Sequence, residues 1–341
     1  MGKEITRSGK VVVFATSFLD ELMTSPADAG EGRRILDELV EQSAGGVQVE
    51  YRCERDRAQP MTAEELAGAR AVIADLETYD APLLSRVGRT AGGELELIVR
   101  YGVGYDAVDL DAATEAGVRV ANTPGANTRP TAEWAVATIL DIAGRRIPHH
   151  ERASRGLPKA GPSRLDVSGR TLGIVGTGAI GTTVAELMSG FGMRVLACDP
   201  EPKGAWAAER GIAYVPLHSL LEEADFVTIH ASANREIIGR EQLSLMKPTS
   251  ALINCARGVH VDSRAAYAAV KEGRLFGYGL DEVWPYPELP LEGLNITTTP
   301  HVGSDTDAGK AGMQRLSAEA VAAFFRGEEP PYLLNTVAGG S

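Results

Sequence analysis

Two side chains and one loop in this sequence are of the types that can do chemistry together. His301 lies in TPHVGS and Arg257 in INCARG, each just past a run of strand-forming residues. An imidazole titrates near neutrality, so it can take the proton from a hydroxyl being oxidised and return it in the reverse direction. A guanidinium is a planar fork that grips a carboxylate and polarises a keto oxygen beside it. The loop is GTGAIG, in which Gly176, Gly178 and Gly181 are followed 18 residues later by Asp199. That spacing suits a pyrophosphate. Gly176 permits a tight turn, Gly178 lets the backbone approach the phosphates, and Gly181 lets helix and strand pack. Ala179 and Ile180 open a helix whose free amides and dipole face the negative charge. Asp199 ends the next strand, where a carboxylate accepts hydrogen bonds from ribose hydroxyls and repels a 2′-phosphate, which favours NAD over NADP.

Each feature has a plainer counterpart: a core histidine, a structural arginine ion pair, a strand–helix turn with a surface aspartate. The order of strand, glycines, helix, strand and aspartate favours the dinucleotide reading of the loop.

The elements that must position these residues follow a βαβ rhythm. Val11–Ala15, Val47–Tyr51, Ala71–Ala74, Leu95–Val99 and Val118–Ala121 read as strands. Between them Glu31–Gln42, Thr62–Gly68, Ala81–Ala91 and Asp109–Ala116 read as helices. Thr131–Arg145 is a long apolar helix, and Arg146–Gly169, rich in Pro, Gly, Ser and charge, reads as a linker or surface loop that includes His149 and His150. A second series of strands follows at Leu172–Val175, Val195–Ala197, Phe226–Ile229, Ala251–Asn254, Phe276–Leu280 and Ile296–Thr298, before a final helix over Asp305–Arg326. The expected fold class is α/β, with two Rossmann-like doubly wound parallel-sheet domains. The nucleotide-binding domain, 122–303, is inserted into a substrate domain formed by 1–121 plus 304–341.

Bulk properties bound the function. A length of 341 residues suggests two domains. A net charge of −12 argues against a nucleic-acid-coating surface, though not against an anionic substrate in a locally basic pocket. Cys53, Cys198 and Cys255 form no metal or disulfide pattern, so no metal is expected and a reducing cytoplasm is the simple reading. No apolar run reaches the ~18 residues of a membrane span.

Taken together, RYGVGYDAVDL (Arg100–Leu110), NTPGAN (Asn122–Asn127), PTAEWA (Pro130–Ala135), GTGAIG, INCARG, YGLDEVW (Tyr278–Trp284) and TPHVGS resemble the D-isomer-specific 2-hydroxyacid dehydrogenase family. The resemblance implies a homodimer, an NAD cofactor, and hydride transfer at the carbon of a small 2-hydroxy or 2-keto acid. It implies Arg257 and His301 as catalytic residues, and Val103 and Gly104 as backbone donors to the substrate carboxylate. It places Thr131, Ala231, Ala256, Asp281 and Gly303 on the cofactor, Asp281 beside the nicotinamide. Trp134, where AEW replaces the common AEH, is expected in the core or at a dimer surface. The segment Ala74–Asp80 is expected at the pocket, with Glu77 and Tyr79 either selecting the far end of the substrate or facing water.

One departure matters. The family's glutamate, five residues past the aspartate, holds the histidine, and here that position is Tyr286. Glu282 and Glu288 are nearby but do not fit without shifting the alignment. Tyr286 is therefore expected beside His301 or the substrate. The departure also leaves open a different small oxyanion (phosphonate-bearing, phosphite-like or formate-like) and an NAD-sensing corepressor that binds partner proteins.

Overall fold

In the computed structural model, described over residues 5–15, 18, 30–55, 59–159, 161 and 163–337, the chain divides into two compact units. One comprises Met1–Asn127 with Asp305–Ser341, and the other Thr128–Ser304.

The first unit is built on β1 (Gly9–Val13), β2 (Val47–Tyr51), β3 (Ala69–Ala74), β4 (Leu97–Arg100) and β5 (Arg119–Ala121), with α1 (Glu31–Gln42), α2 (Ala81–Val87) and α3 (Leu110–Glu115) between them. The strands run parallel in the order β2-β1-β3-β4-β5. The central strands β1, β3 and β4 are largely apolar on both faces. Val11, Val13, Ile73, Leu97 and Val99 pack into one buried layer with Leu36 and Leu39 of α1 and with Phe324 and Phe325 of the C-terminal helix, Asp307–Phe325. Val12, Val72 and Ile98 point the other way, onto Leu83 and Leu84 of α2 and Ala113 of α3. Continuous Val/Ile/Leu runs are what a parallel sheet covered on both sides requires.

The second unit contains α4 (Thr128–Gly144), α5 (Arg146–Ser154), β6 (Thr171–Val175), α6 (Ala179–Met188), β7 (Arg194–Cys198), α7 (Gly204–Glu209), β8 (Ala213–Tyr214), α8 (Leu217–Glu223), β9 (Phe226–Ile229), α9 (Arg240–Leu245), β10 (Ala251–Asn254), α10 (Ser263–Lys271), β11 (Gly277–Leu280) and β12 (Ile296–Thr298). The strand order is β12-β11-β10-β9-β6-β7-β8, all parallel. The order reverses between β6 and β9, and a doubly wound sheet binds its ligand at such a reversal, outside the carboxyl ends of the strands. Helix α4 buries Ala132, Ala135, Ile139, Ile142 and Ala143, a helical stripe, against α6, β10 and β11.

Two expected elements differ. Residues 62–68 form turns rather than a helix. Thr62 and Glu65 do exchange helix-opening hydrogen bonds, but Arg55 also claims the Glu65 carboxylate at 2.6 Å, and Gly68 at φ +71 ends the segment after one turn. In the stretch read as a linker, Arg146–Ser154 is helical and carries His149 and His150; residues 160 and 162 lie outside the described set. This helix buries none of its residues, so its sequence lacks the apolar stripe by which a helix is recognised. The two-residue β8 is likewise too short to show a period.

Candidate active site

The register of the second sheet brings the candidate residues to one edge. Val175 pairs with both Cys198 and Ile229, Ile229 with Asn254, Asn254 with Leu280, and Leu280 with Thr298. These six residues therefore end their strands level with one another. The residues that follow are Gly176, Asp199, His230, the segment to Arg257, Asp281, and the segment to His301.

The three loop glycines serve different ends. Gly176 sits at φ +92, and a Cβ there would come within 2.7 Å of the His230–Ala231 backbone, where the ends of β6 and β9 meet. A Cβ on Gly181 would lie 2.0 Å from the Gly176 carbonyl oxygen. The fold demands both. A Cβ on Gly178 would touch no protein atom within 4 Å, so its missing side chain leaves room beside the helix for something other than protein. Helix α6 starts there without a side-chain cap, leaving first-turn amides at Ala179 and Ile180 without intrahelical acceptors. Room, free donors and the positive end of a helix fit a pyrophosphate.

Asp199 is held in place before any ligand arrives. Its Oδ2 accepts from the Thr177 amide at 2.6 Å and the Thr177 hydroxyl at 3.0 Å, and its Oδ1 from the Glu201 amide at 2.8 Å. Partial burial works to raise its pKa, but these bonds outweigh it and hold the carboxyl below its ordinary value. The Thr177 hydroxyl in turn lies 2.8 Å from the Tyr214 hydroxyl on β8, a contact no spacing rule points to. His230 bonds Thr228 through Nε2 at 2.9 Å, and burial pushes its pKa down to about 4, so it is a neutral lining residue.

His301 stands on a loop with a left-handed backbone, φ +59. Asp281 organises that loop. Its Oδ1 accepts from the Thr299 hydroxyl at 2.7 Å and the Val302 amide at 2.9 Å, and its Oδ2 from the Gly303 amide at 2.8 Å. Such over-determination is what keeps a non-glycine residue in an unfavourable backbone region. Expected chiefly beside the nicotinamide, Asp281 has three of its acceptor positions taken by the histidine loop. Thr131 and Trp134 of α4 lie against Gly303, within 3.7 and 3.5 Å of where its Cβ would stand, so Trp134 borders the site.

The carboxylate that faces His301 is Glu282. Its Oε2 lies 3.5 Å from His301 Nδ1, and its own carbonyl accepts from the Thr298 hydroxyl. The hydrogen bond with His301, together with the charges of His301 and Arg257, holds the Glu282 carboxyl below its ordinary value. Position 286 does not fill this role. The Tyr286 ring stacks edge-on against Trp284, with centroids 5.6 Å apart, and lies 4.3 Å from the Arg264 guanidinium. Glu288 is bound to Arg264 at 2.7 Å. The expectation of Tyr286 beside the imidazole is therefore corrected: the acid has moved four residues back along the loop, next to Asp281.

Arg257 follows β10 in extended conformation. Its carbonyl accepts from Asn254 Nδ2 at 2.7 Å, and its Nη1 donates to the Ala256 carbonyl at 2.8 Å. Ala231 and Ala256 are both half-buried at the same edge.

In the first unit, Val103 and Gly104 follow β4 in a tight turn with Val103 exposed. Glu77 and Tyr79 do not face water: they are 1% and 0% exposed. Burial and the charge on Asp75 push the Glu77 carboxyl up, while Arg100 opposes the shift. Among the described residues no cluster of His, Cys, Asp and Glu is arranged to hold a metal, and no helix is long and apolar enough to cross a membrane.

The family model for the D-isomer specific 2-hydroxyacid dehydrogenase NAD binding domain matches residues 136–303. A glyoxylate reductase of Korarchaeum cryptofilum is 42% identical over 257 residues, 72% of this chain and 77% of that one. Among solved structures, the TT0316 protein of Thermus thermophilus aligns with a TM-score of 0.77 at 34% identity, covering 96% of this chain and 100% of the other. A D-lactate dehydrogenase of Aquifex aeolicus, solved with NAD and lactic acid, aligns at 0.76 with 26% identity, covering 94% and 96%.

Proposed function

The chain belongs to the D-isomer specific 2-hydroxyacid dehydrogenase family, and from that premise we propose how its own residues carry the reaction. It is an NAD-dependent oxidoreductase acting on CH–OH groups, in the class that interconverts 2-hydroxy and 2-keto acids. NAD, when bound, supplies or accepts the hydride at the substrate carbon. The glycine loop and the first turn of α6 hold the pyrophosphate, and Asp199 the adenosine ribose. Arg257 grips the acid group and polarises the keto oxygen. His301 gives its proton to that oxygen in reduction and takes it back in oxidation. Glu282 faces Nδ1 of the imidazole, which leaves Nε2 for the substrate. Asp281 keeps the loop in the one conformation that presents the ring.

The observation that carries this reading is the Glu282 carboxylate 3.5 Å from His301, with Arg257 acting on the same carboxylate. It supplies a proton-transfer pair although the family's glutamate position is occupied by tyrosine. The corepressor alternative drew its support from that gap, and the Glu282–His301 contact weighs against it. We place glyoxylate first among substrates on the strength of the 42% identical relative. A homodimer in a reducing cytoplasm completes the proposal. It rests on the family resemblance and on three cysteines none of which is in a disulfide.

The test is a panel of glyoxylate, pyruvate, hydroxypyruvate, phosphite and formate followed by NADH absorbance, with chromatography for the dimer. Glyoxylate or another 2-keto acid is expected to turn over best. Turnover of phosphite or formate alone, or of none of the five, would overturn the reading.

A further inference from the structure

We propose that Arg100 is a positioning residue that holds the turn after β4 as an oxyanion nest, and that the nest has three donors, the amides of Val103, Gly104 and Tyr105. The inference rests on the proposed function, since it assigns the nest the carboxylate of the small 2-keto or 2-hydroxy acid.

The argument starts from peptide geometry. In a trans peptide the carbonyl of one residue and the N–H of the next point in opposite directions. A carbonyl pulled toward the protein therefore turns the following amide outward. Three successive carbonyls are pulled in this way. The Gly102 carbonyl accepts from the Thr123 amide at 3.1 Å. The Val103 carbonyl accepts from Asn122 Nδ2 at 2.8 Å. The Gly104 carbonyl accepts from Arg100 Nε at 3.0 Å. The amides thereby turned outward belong to Val103, Gly104 and Tyr105, and within the described structure none of the three donates to a protein acceptor. The Gly102 amide is excluded from the set because it is spent on the Thr123 hydroxyl at 2.9 Å. Gly102 itself sits at φ +134, a conformation that a residue with a side chain resists. Val103 and Tyr105 are 36% and 40% exposed, so the turn lies at the surface of its unit. Successive amides with this aim form an anion-binding concavity.

Arg100 is the anchor. It is 3% exposed, and while Nε holds Gly104, its Nη1 donates to the Ala74 carbonyl at 2.9 Å. One rigid fork thus ties the turn to the end of β3. Lysine, with a single flexible ammonium group, cannot reproduce the fork's fixed geometry across two carbonyls. The guanidinium also places a positive charge beneath the nest.

The test uses full-length protein saturated with NAD and labelled with 15N at valine, glycine and tyrosine, with oxalate as the probe anion. Oxalate is expected to shift the Val103, Gly104 and Tyr105 amide resonances together and saturably. In Arg100→Lys and Asn122→Ala, the oxalate Kd and the KM for glyoxylate are each expected to rise about tenfold, while kcat and NADH affinity stay within about twofold. If Arg100→Lys does not fold, Asn122→Ala and Thr123→Val decide, since each removes one side-chain bond to the turn. The inference is overturned if oxalate leaves the three amides unmoved. It is equally overturned if the variants lower kcat and NADH affinity together with no change in oxalate binding, which marks a merely structural role. Absence of keto-acid turnover in the wild type would sink the functional reading alone, because the oxalate shifts still decide the nest.

Discussion

The glycine loop and the histidine loop lie at the same edge of one sheet, yet they are assembled in different ways. The glycines and the aspartate of the glycine loop come from a single βαβ unit. Gly176, Gly178, Gly181 and Asp199 fall within 24 residues, and the Val175–Cys198 pairing of β6 with β7 brings Asp199 to Thr177. The histidine loop draws on separate stretches: Asp281 and Glu282 after β11, Thr298 and Thr299 at the end of β12, and Thr131 and Trp134 on α4. On the proposed reading, coenzyme binding is a local device that travels as a motif. Proton transfer depends on which carboxylate the fold happens to deliver, and that can change while the motif around the histidine stays the same.

The sharpest test of this contrast is to damage one loop and ask whether the other notices. His301→Asn is expected to lower kcat by about 10²–10⁴-fold. NADH affinity, measured by fluorescence titration, should stay within about twofold of wild type; a parallel loss of NADH binding would mean that the loops are not separable. Glu282→Gln keeps the shape and removes the charge. The carboxylate faces the imidazole that moves the proton, so its loss should lower keto-acid reduction about tenfold at neutral pH, measured as kcat/KM with NADH saturating. The sign for stability follows from the same residue. Its carboxyl is held low in the folded protein, so its contribution is complete above the ordinary carboxylate range and fades as pH falls through the lowered value. A thermal melt series in acid should therefore show the wild type converging on Glu282→Gln.

On the glycine side, Asp199→Ala is expected to weaken NADH binding by about five- to tenfold while narrowing the preference over NADPH, with kcat at saturating NADH little changed. A loss confined to kcat would place Asp199 with the proton machinery instead. The smallest effect belongs to Tyr286→Phe. Its ring contacts are with Trp284 and Arg264, and a phenylalanine ring preserves them, so kinetics and pH profile should match wild type within about twofold. A displaced profile would restore Tyr286 to the mechanism and weaken the case for Glu282.

Much of the scaffold was legible beforehand because parallel sheets buried on both faces write themselves as short apolar runs, and the runs at Val11, Ala71, Leu172 and Phe226 all became strands. That Arg257 and His301 stand just past strands was legible as well, and they follow β10 and β12. Arg146–Ser154 was not, because a helix that buries nothing has no period to read. Residues 62–68 misled because local helix-opening signals were overridden by Arg55, a partner ten residues from Glu65.

By itself the sequence determined which residues could do chemistry and that strands would carry them to a common edge, because strand periodicity and glycine spacing are short-range properties of the chain. Only the tertiary structure decided which acid faces the imidazole, that Asp281 braces the loop of His301, and that Arg100, Asn122 and Thr123 bind three successive carbonyls of one turn. Those outcomes depend on the path of loops that pass one another in space, and the direction of a side chain or a peptide there is set by whatever packs against it rather than by its neighbours in sequence.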